Sequence, residues 1–378
     1  MQRMPADRDS TMDIALLASG HGSFLALGSL SGIQRRLRRW VNLGRSVIVP
    51  AAGLGIVSLG LAGCAGDHST LDPAGPAARE VAWLWWAMFG VSTVVLFGVV
   101  ALWLFTFWRS EPAKHDAAQE HRIARRWIIG GGLLLPLVSV VALLIFGVPV
   151  SKRMLPIPLP GGEQAMVIEV EGHQWWWEVR YPGAEEGIVV TANQLMLPVG
   201  EPIDFHVTSD DVIHSFWVPR LGGKIDMVPG RTNRIRLEAD RTGTFGAQCA
   251  EFCGPQHAHM RLHVEALERD EFDAWLAARQ APPEQRDEYE AARGAFLEHC
   301  ADCHRVAGVS EGQVGPDLTD LGSRAALGAG TIPMYDGAIA DWLKNHQQLK
   351  PGNRMPAHVH LEAETLDSIA AWLETLSP

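Results

Sequence analysis

Two stretches of this chain are apolar without interruption. Neither Trp83–Trp108 nor Trp127–Val150 contains an Asp, Glu, Lys or Arg. As α-helices rising ~1.5 Å per residue they would reach ~39 and ~36 Å, enough to cross a ~30 Å hydrocarbon core with some tilt. Trp83, Trp85, Trp86, Trp103, Trp108 and Trp127 gather towards their ends, as an interfacial aromatic belt does. Helices buried in a globular core are the alternative, and the length and purity of both runs argue against it. The segment between them carries Arg109, Lys114, Arg122, Arg125 and Arg126. An excess of positive charge marks a cytoplasmic loop, so both chain ends are expected outside.

Further along, the period shortens. After Lys152-Arg153 and a proline-rich link (Pro156, Pro158, Pro160), Ile203, Phe205 and Val207 alternate with Asp204, His206 and Thr208. Ile235 and Leu237 alternate with Arg234, Arg236 and Glu238, and Met260, Leu262 and Val264 continue the style. Short alternating runs broken by Tyr181-Pro182-Gly183 and Val228-Pro229-Gly230 predict a β-sandwich or barrel over 160–275. Near Arg269 the pattern turns helical, and Ala281-Pro282-Pro283 reads as a linker. Residues 286–378 then predict an all-α domain with helices at about 286–299, 336–348 and 361–376. There is no internal repeat. The fold class is a multidomain membrane protein: a two-helix transmembrane hairpin over 80–152, a β domain and a helical domain.

The segment 1–63 reads as an N-terminal extension and export signal. Arg35, Arg36, Arg38 and Arg39 form a basic cluster, and an apolar run without any charge then spans Val47 to Ala62 and stops at Leu61-Ala62-Gly63-Cys64. This ending resembles the bacterial lipobox, which implies that Cys64 is lipidated and becomes the mature N-terminus. A third membrane helix is the alternative, but the run is short for the ~20 residues a span needs.

Charge sharpens the division. The 378 residues carry a formal −11, yet residues 1–150 contribute +4 and residues 151–378 contribute −15. A weakly basic front half followed by an acidic back half fits a membrane part and a water-facing part. The acidic balance excludes a nucleic-acid footprint, which would be basic. Five cysteines (Cys64, Cys249, Cys253, Cys300 and Cys303) are too few and too clustered for a disulfide scaffold.

Four of those cysteines sit in motifs. Cys249-Ala-Glu-Phe-Cys253-Gly-Pro-Gln-His257-Ala-His-Met260 puts two thiols, an imidazole and a thioether in one short stretch, with His214 upstream in His214-Ser215-Phe216-Trp217. Soft thiolate and thioether with imidazole is a ligand set that selects copper; zinc on Cys₂His₂ and a disulfide stay open on chemistry alone. Cys300-Ala301-Asp302-Cys303-His304 is the Cys-x-x-Cys-His pattern of covalent c-type haem attachment, with the histidine as proximal iron ligand. A redox dithiol is the alternative, and the helical context without a βαβ pattern opposes it. Met334 and Met355 are the candidates for the second axial position, where a thioether raises the haem potential.

These motifs carry a family resemblance. Residues 80–275 resemble subunit II of the haem–copper cytochrome oxidases, through Gly172-His173-Gln174-Trp175-Trp176-Trp177, Asp211-Val212-Ile213-His214-Ser215-Phe216 and the Cys249–Met260 motif. The resemblance implies a cupredoxin-like β-barrel holding a binuclear copper A centre. In it Cys249 and Cys253 bridge two copper ions, His214 and His257 cap one each, and Met260 and the Glu251 carbonyl are weak axial ligands. It also implies that Trp175 is an exposed tryptophan through which electrons arrive. The Glu251 side chain and Asp226 would hold magnesium against subunit I, with simple surface carboxylates as the alternative. The C-terminal part resembles a class I cytochrome c domain. Pro351-Gly352-Asn353-Arg354-Met355-Pro356 is similar to its ligand loop, which favours Met355, and Gly315-Pro316-Asp317-Leu318 is similar to the loop whose proline carbonyl steadies the proximal histidine.

The expected function follows: the electron-input subunit of a bacterial haem–copper oxidase, taking electrons from a donor cytochrome c or bc complex through haem c and copper A to subunit I. Oxygen would be reduced there with proton translocation, and subunit III would complete the assembly. The expected location is the inner (plasma) membrane, with both metal domains on the periplasmic face. The copper A subunit of a nitric oxide reductase and a stand-alone membrane electron carrier are the rivals. Quinol oxidase subunit II has the fold without the copper ligands. Family members usually carry a Glu before the second helix; here Arg125-Arg126-Trp127 stands there, so no role in proton uptake is carried over.

Overall fold

The computed structural model describes residues 66–108, 116–162, 164–182 and 187–378. Cys64 and the export signal lie outside the described residues, as do Arg109 and Lys114.

Helix α1 spans Pro76–Trp108, seven residues earlier than the apolar run predicts. Pro76 opens it, where a missing N–H costs nothing. Its first turn is buried for a tertiary reason. Ala74 and Ala78 donate backbone hydrogen bonds to the carbonyls of Arg220 (2.7 Å) and Leu221 (3.2 Å), so the helix is rooted in the β domain. A Cβ on Gly75 would stand 2.2 Å from the Glu238 carbonyl, so only glycine fits that approach. Helix α2 spans Ala117–Lys152. Asp116 caps it, accepting from the Gln119 N–H at 2.7 Å in a reciprocal capping box. A π-helical stretch at Ile128–Leu134 interrupts α2. Pro136 follows, and it has no N–H to return to the preceding turn, which explains a local break in the ladder. Both helices are long and apolar enough to cross a membrane, and their apolar side chains face outward along most of their length. Arg153 pairs with Glu80 at the outer ends.

The β domain is cupredoxin-like, built from two sheets and a short hairpin. The larger sheet has the order β3 (Ile188–Ala192), β2 (Trp176–Pro182), β1 (Met166–His173), β5 (Ile203–Ser209), β8 (Asn233–Leu237). The smaller has the order β4 (Gln194–Pro198), β10 (Arg261–Leu267), β9 (Gly243–Gln248). Strands β6 (His214–Phe216) and β7 (Ile225–Met227) form the hairpin. The parallel β1–β5 pairing, with Val170 opposite Val207, brings the Gly172-His173 end of β1 beside Ser209 and the loop that leads into His214. Ile203, Phe205 and Val207 are fully buried as the alternation predicts, and Trp177, Phe216 and Phe245 fill the space between the sheets.

Helix α3 (Arg269–Ala278) leads into the C-terminal domain, whose helices are α4 (Glu290–His299), α5 (Ala338–Leu349) and α6 (Ala363–Glu374). Each falls within the span its periodicity predicts or within a residue of it. Phe296 and Trp372 meet edge-to-face at 4.9 Å between ring centroids, joining α4 to α6.

The two domains share buried polar contacts. Asp320, fully buried, accepts from Arg324 Nη2 (2.6 Å) and Arg279 Nε (3.2 Å). It also accepts from Thr191 Oγ1 (3.1 Å) and Gln194 Nε2 (2.8 Å) of the β domain.

Candidate metal centres

The copper-motif side chains converge because strand ends deliver three of them. His214 opens β6, Cys249 follows β9 directly, and Met260 immediately precedes β10, so the 249–260 loop folds back over the mouth between the sheets. Backbone bonds close it: Cys249 N–H donates to Met260 O (3.0 Å) and Ala250 N–H to Ser215 O (3.0 Å). His214, Cys249, Cys253 and Met260 are buried. The Sγ atoms of Cys249 and Cys253 lie 3.8 Å apart as free thiols. Cys249 Sγ is 3.8 Å from His214 Nδ1, Cys253 Sγ is 3.6 Å from His257 Nδ1, and Cys253 Sγ is 3.8 Å from Met260 Sδ. The Glu251 carbonyl reaches Cys249 Sγ at 3.1 Å. Among the described residues, His214, Cys249 and Cys253 are a His/Cys set whose ligand atoms all lie within 4.8 Å of one another.

The electrostatics favour ligation. Contact with Cys253, and then with His214, holds the Cys249 thiol below the usual thiol range, which favours the thiolate a metal binds. Asp211 stands behind His214: its Oδ1 lies 2.9 Å from Nε2, which fixes Nδ1 as the atom turned to the sulfurs. Burial opposes the charge on His214, but Cys249 and Asp211 outweigh it and raise its pKa. Asp211 was visible in the motif three residues before His214, yet spacing alone did not show its role. Two thiols, two imidazoles, a thioether and a carbonyl on one small volume fit copper chemistry.

Helix α4 ends at the haem motif. Cys300 N–H still donates to Phe296 O (2.8 Å), and the turn that follows presents His304. His304 is buried, and its Nδ1 lies 2.8 Å from the Pro316 carbonyl, which leaves Nε2 free for an iron ion. A Cβ on Gly315 would fall 2.6 Å from the His304 ring, so the loop can close on the imidazole only with glycine there. His304, Cys303 and Met355 line one cavity of about 400 Å³, whereas Met334 is outside it and packs on the helical core. Asn353 Oδ1 accepts from the Met355 N–H (3.1 Å), and Gln347 Nε2 donates to its carbonyl (2.6 Å), holding that loop. The cavity and donor set fit a covalently held haem.

Trp175 corrects an expectation. An exposed tryptophan was implied, but only 7% of Trp175 reaches solvent, because the C-terminal domain lies over it. Its Nε1 donates to the Cys253 carbonyl at 3.0 Å, and its side chain walls the same cavity as His304 and Met355. Trp176 stacks on His173 at 4.2 Å and Trp177 enters the core, so the three adjacent tryptophans have three environments. The carboxylates of Asp226 and Glu251 both face Lys224, at 3.6 and 3.8 Å, and are about half exposed.

A membrane hairpin carrying a thiolate–imidazole metal site and a Cys-x-x-Cys-His domain defines a membrane-bound electron-transfer subunit. The family model for the periplasmic domain of cytochrome c oxidase subunit II matches residues 183–267, and that for cytochrome c matches 289–377. Cytochrome c oxidase subunit 2 of Alkalihalophilus pseudofirmus is 36% identical over 337 residues, covering 85% of this chain and 95% of the relative. The subunit 2 of a Bacillus species is 29% identical over 349 residues, with 85% and 95% covered. The crystallised periplasmic domain of oxidase subunit II from Bradyrhizobium japonicum is 34% identical, covers 31% of this chain and 96% of that one, and has a TM-score of 0.30. This chain belongs to the cytochrome c oxidase subunit 2 family, a component of the oxidase, and carries a fused cytochrome c domain.

Proposed function

We propose that this subunit takes electrons from a donor cytochrome c or bc complex and passes them to subunit I of a haem–copper oxidase. Oxygen is reduced to water in that partner with proton translocation, and subunit III belongs to the same assembly. Cys300 and Cys303 would hold haem c covalently, and His304 and Met355 would ligate its iron. Cys249, Cys253, His214, His257, Met260 and the Glu251 carbonyl would hold copper A. The two groups supply one-electron redox sites when bound. Trp175 conducts between the two sets of ligands, Cys64 carries a lipid, and Glu251 with Asp226 offers carboxylates to magnesium at the subunit I face. The chain sits in the bacterial inner membrane with its metal domains outside, and no nucleic acid is involved.

One observation carries this reading: a single side chain, Trp175, touches both sites, bonded to Cys253 and walling the cavity of His304. The test is Cys249→Ser in the full chain. It should abolish copper A absorbance and oxygen uptake while the haem c spectrum stays intact. Purification from the native membrane without a haem-a subunit, or with nitric oxide reduction in place of oxygen uptake, would refute the oxidase assignment.

A further inference from the structure

The segment that carries Met355 is also the part of the cytochrome domain pressed on the copper loops. Lys350, at the C-terminal end of α5, is only 3% exposed. Its Nζ donates to three carbonyls: Trp175 (2.8 Å), His259 (2.9 Å) and Gly328 (2.6 Å). Two belong to the copper domain and one to the cytochrome domain, and they match the three donors of the protonated amine, whose pKa burial pushes down to about 7. Around it, Gln256 Nε2 donates to Pro351 O (2.7 Å) and Arg354 Nη2 donates to Gln174 Oε1 (2.5 Å). Arg354 Nη1 lies 3.4 Å from Asp211, the carboxylate behind His214.

The opposite loop is shaped for the same contact. Gly328, Ala329 and Gly330 all have positive φ (60°, 58° and 76°), a conformation that is unfavourable for alanine. This turn sends the Gly328 carbonyl to Lys350 and the Ala329 carbonyl to the Arg261 N–H (3.0 Å). Strain of this kind persists only where surrounding contacts over-determine it.

We propose that Lys350 is a positioning residue that seals the cytochrome domain over Trp175, making the fused haem the obligatory route to copper for any external donor. A buried lysine amine held by three carbonyls is a seal, not a hinge: its loss takes the donor from the Trp175 and His259 carbonyls on the copper side, while Gly328 O keeps the Thr331 hydroxyl (2.6 Å). A soluble donor therefore cannot reach Trp175, and the tethered domain works docked. The inference rests on the functional reading above.

The test is hydroxyl-radical footprinting of tryptophans in the purified, loaded full chain. Wild-type Trp175 should be as protected as the core residues Trp177 and Trp372. Lys350→Met should raise Trp175 labelling at least about tenfold, one lost charge-assisted hydrogen bond being enough for that, and leave Trp177 and Trp372 protected. Arg354→Ala, on the rim, should raise it less. In the loaded protein, stopped-flow mixing with reduced soluble cytochrome c should show copper reduction following haem reduction in wild type, and a copper phase independent of haem in Lys350→Met. Trp175 labelled freely in wild type, or unchanged in both variants, overturns the seal. If Lys350→Met exposes Trp372 as well, Lys350 serves only the fold of its own domain and the proposal falls. Copper and haem absorbance report loading independently of the footprint, so the two readings fail separately.

Discussion

Asp320 offers the sharpest energetic test of how the domains are joined. Its carboxylate is fully buried between Arg324, also buried, and Arg279, whose side chain is 10% exposed, and it accepts from Thr191 and Gln194 across the domain boundary. Asp320→Asn preserves shape, so no cavity term enters. It leaves two buried guanidinium groups without their counter-charge, and breaking a buried pair this way costs about 3–5 kcal/mol. For a domain of under 100 residues each kcal/mol moves Tm by roughly 4–8 °C, so the cytochrome domain should melt at least about 12 °C lower. Soret absorbance of the full chain during heating measures this directly. The wild type should add a pH signature. Burial pushes the Asp320 carboxyl up, but Arg324 and then Arg279 outweigh it and hold its pKa below the ordinary value. A carboxylate depressed in the fold gives its full stabilisation above the unfolded pKa of about 4 and loses it as pH falls below that. The wild-type Tm should therefore drop steeply below about pH 4, and the Asn variant should lack that part of the slope. A Tm change under about 2 °C at neutral pH, set against the scaling above, would refute the reasoning.

Two further outcomes follow from the cytochrome site. Gly315→Ala puts a methyl 2.6 Å from the His304 ring and should displace the imidazole from the Pro316 carbonyl, seen as a weakened or high-spin haem spectrum with copper absorbance retained. Met355→Leu should remove the thioether from the haem cavity and lower the haem potential, whereas Met334→Leu, outside the cavity, should leave the spectrum unchanged. Redox titration separates the two methionines.

Much was legible in the chain because it is local. Hydrophobic runs without charge mark membrane helices because no charge has to be buried in them, and Cys-x-x-Cys-His marks a haem site because two covalent attachments and one iron ligand come from one turn. The copper motif was nearly as legible, since five of its donors lie between Cys249 and Met260. Its second layer was not: Asp211 acquires meaning only when β6 points His214 back at it.

What the sequence by itself determined, then, is the order of parts and the ligands within each: two spans, a strand domain, a helical domain, and the residues that can hold copper and haem. Tertiary structure decided how the sites face one another. Trp175 is a surface residue of an isolated copper domain by resemblance and a buried one here. Lys350 and Asp320 look like ordinary surface charges in the sequence, yet both are sealed between domains. Hydrophobic periodicity reports which face of one element is covered, but contacts between residues more than a hundred positions apart depend on the docking of whole domains, and no local pattern encodes that.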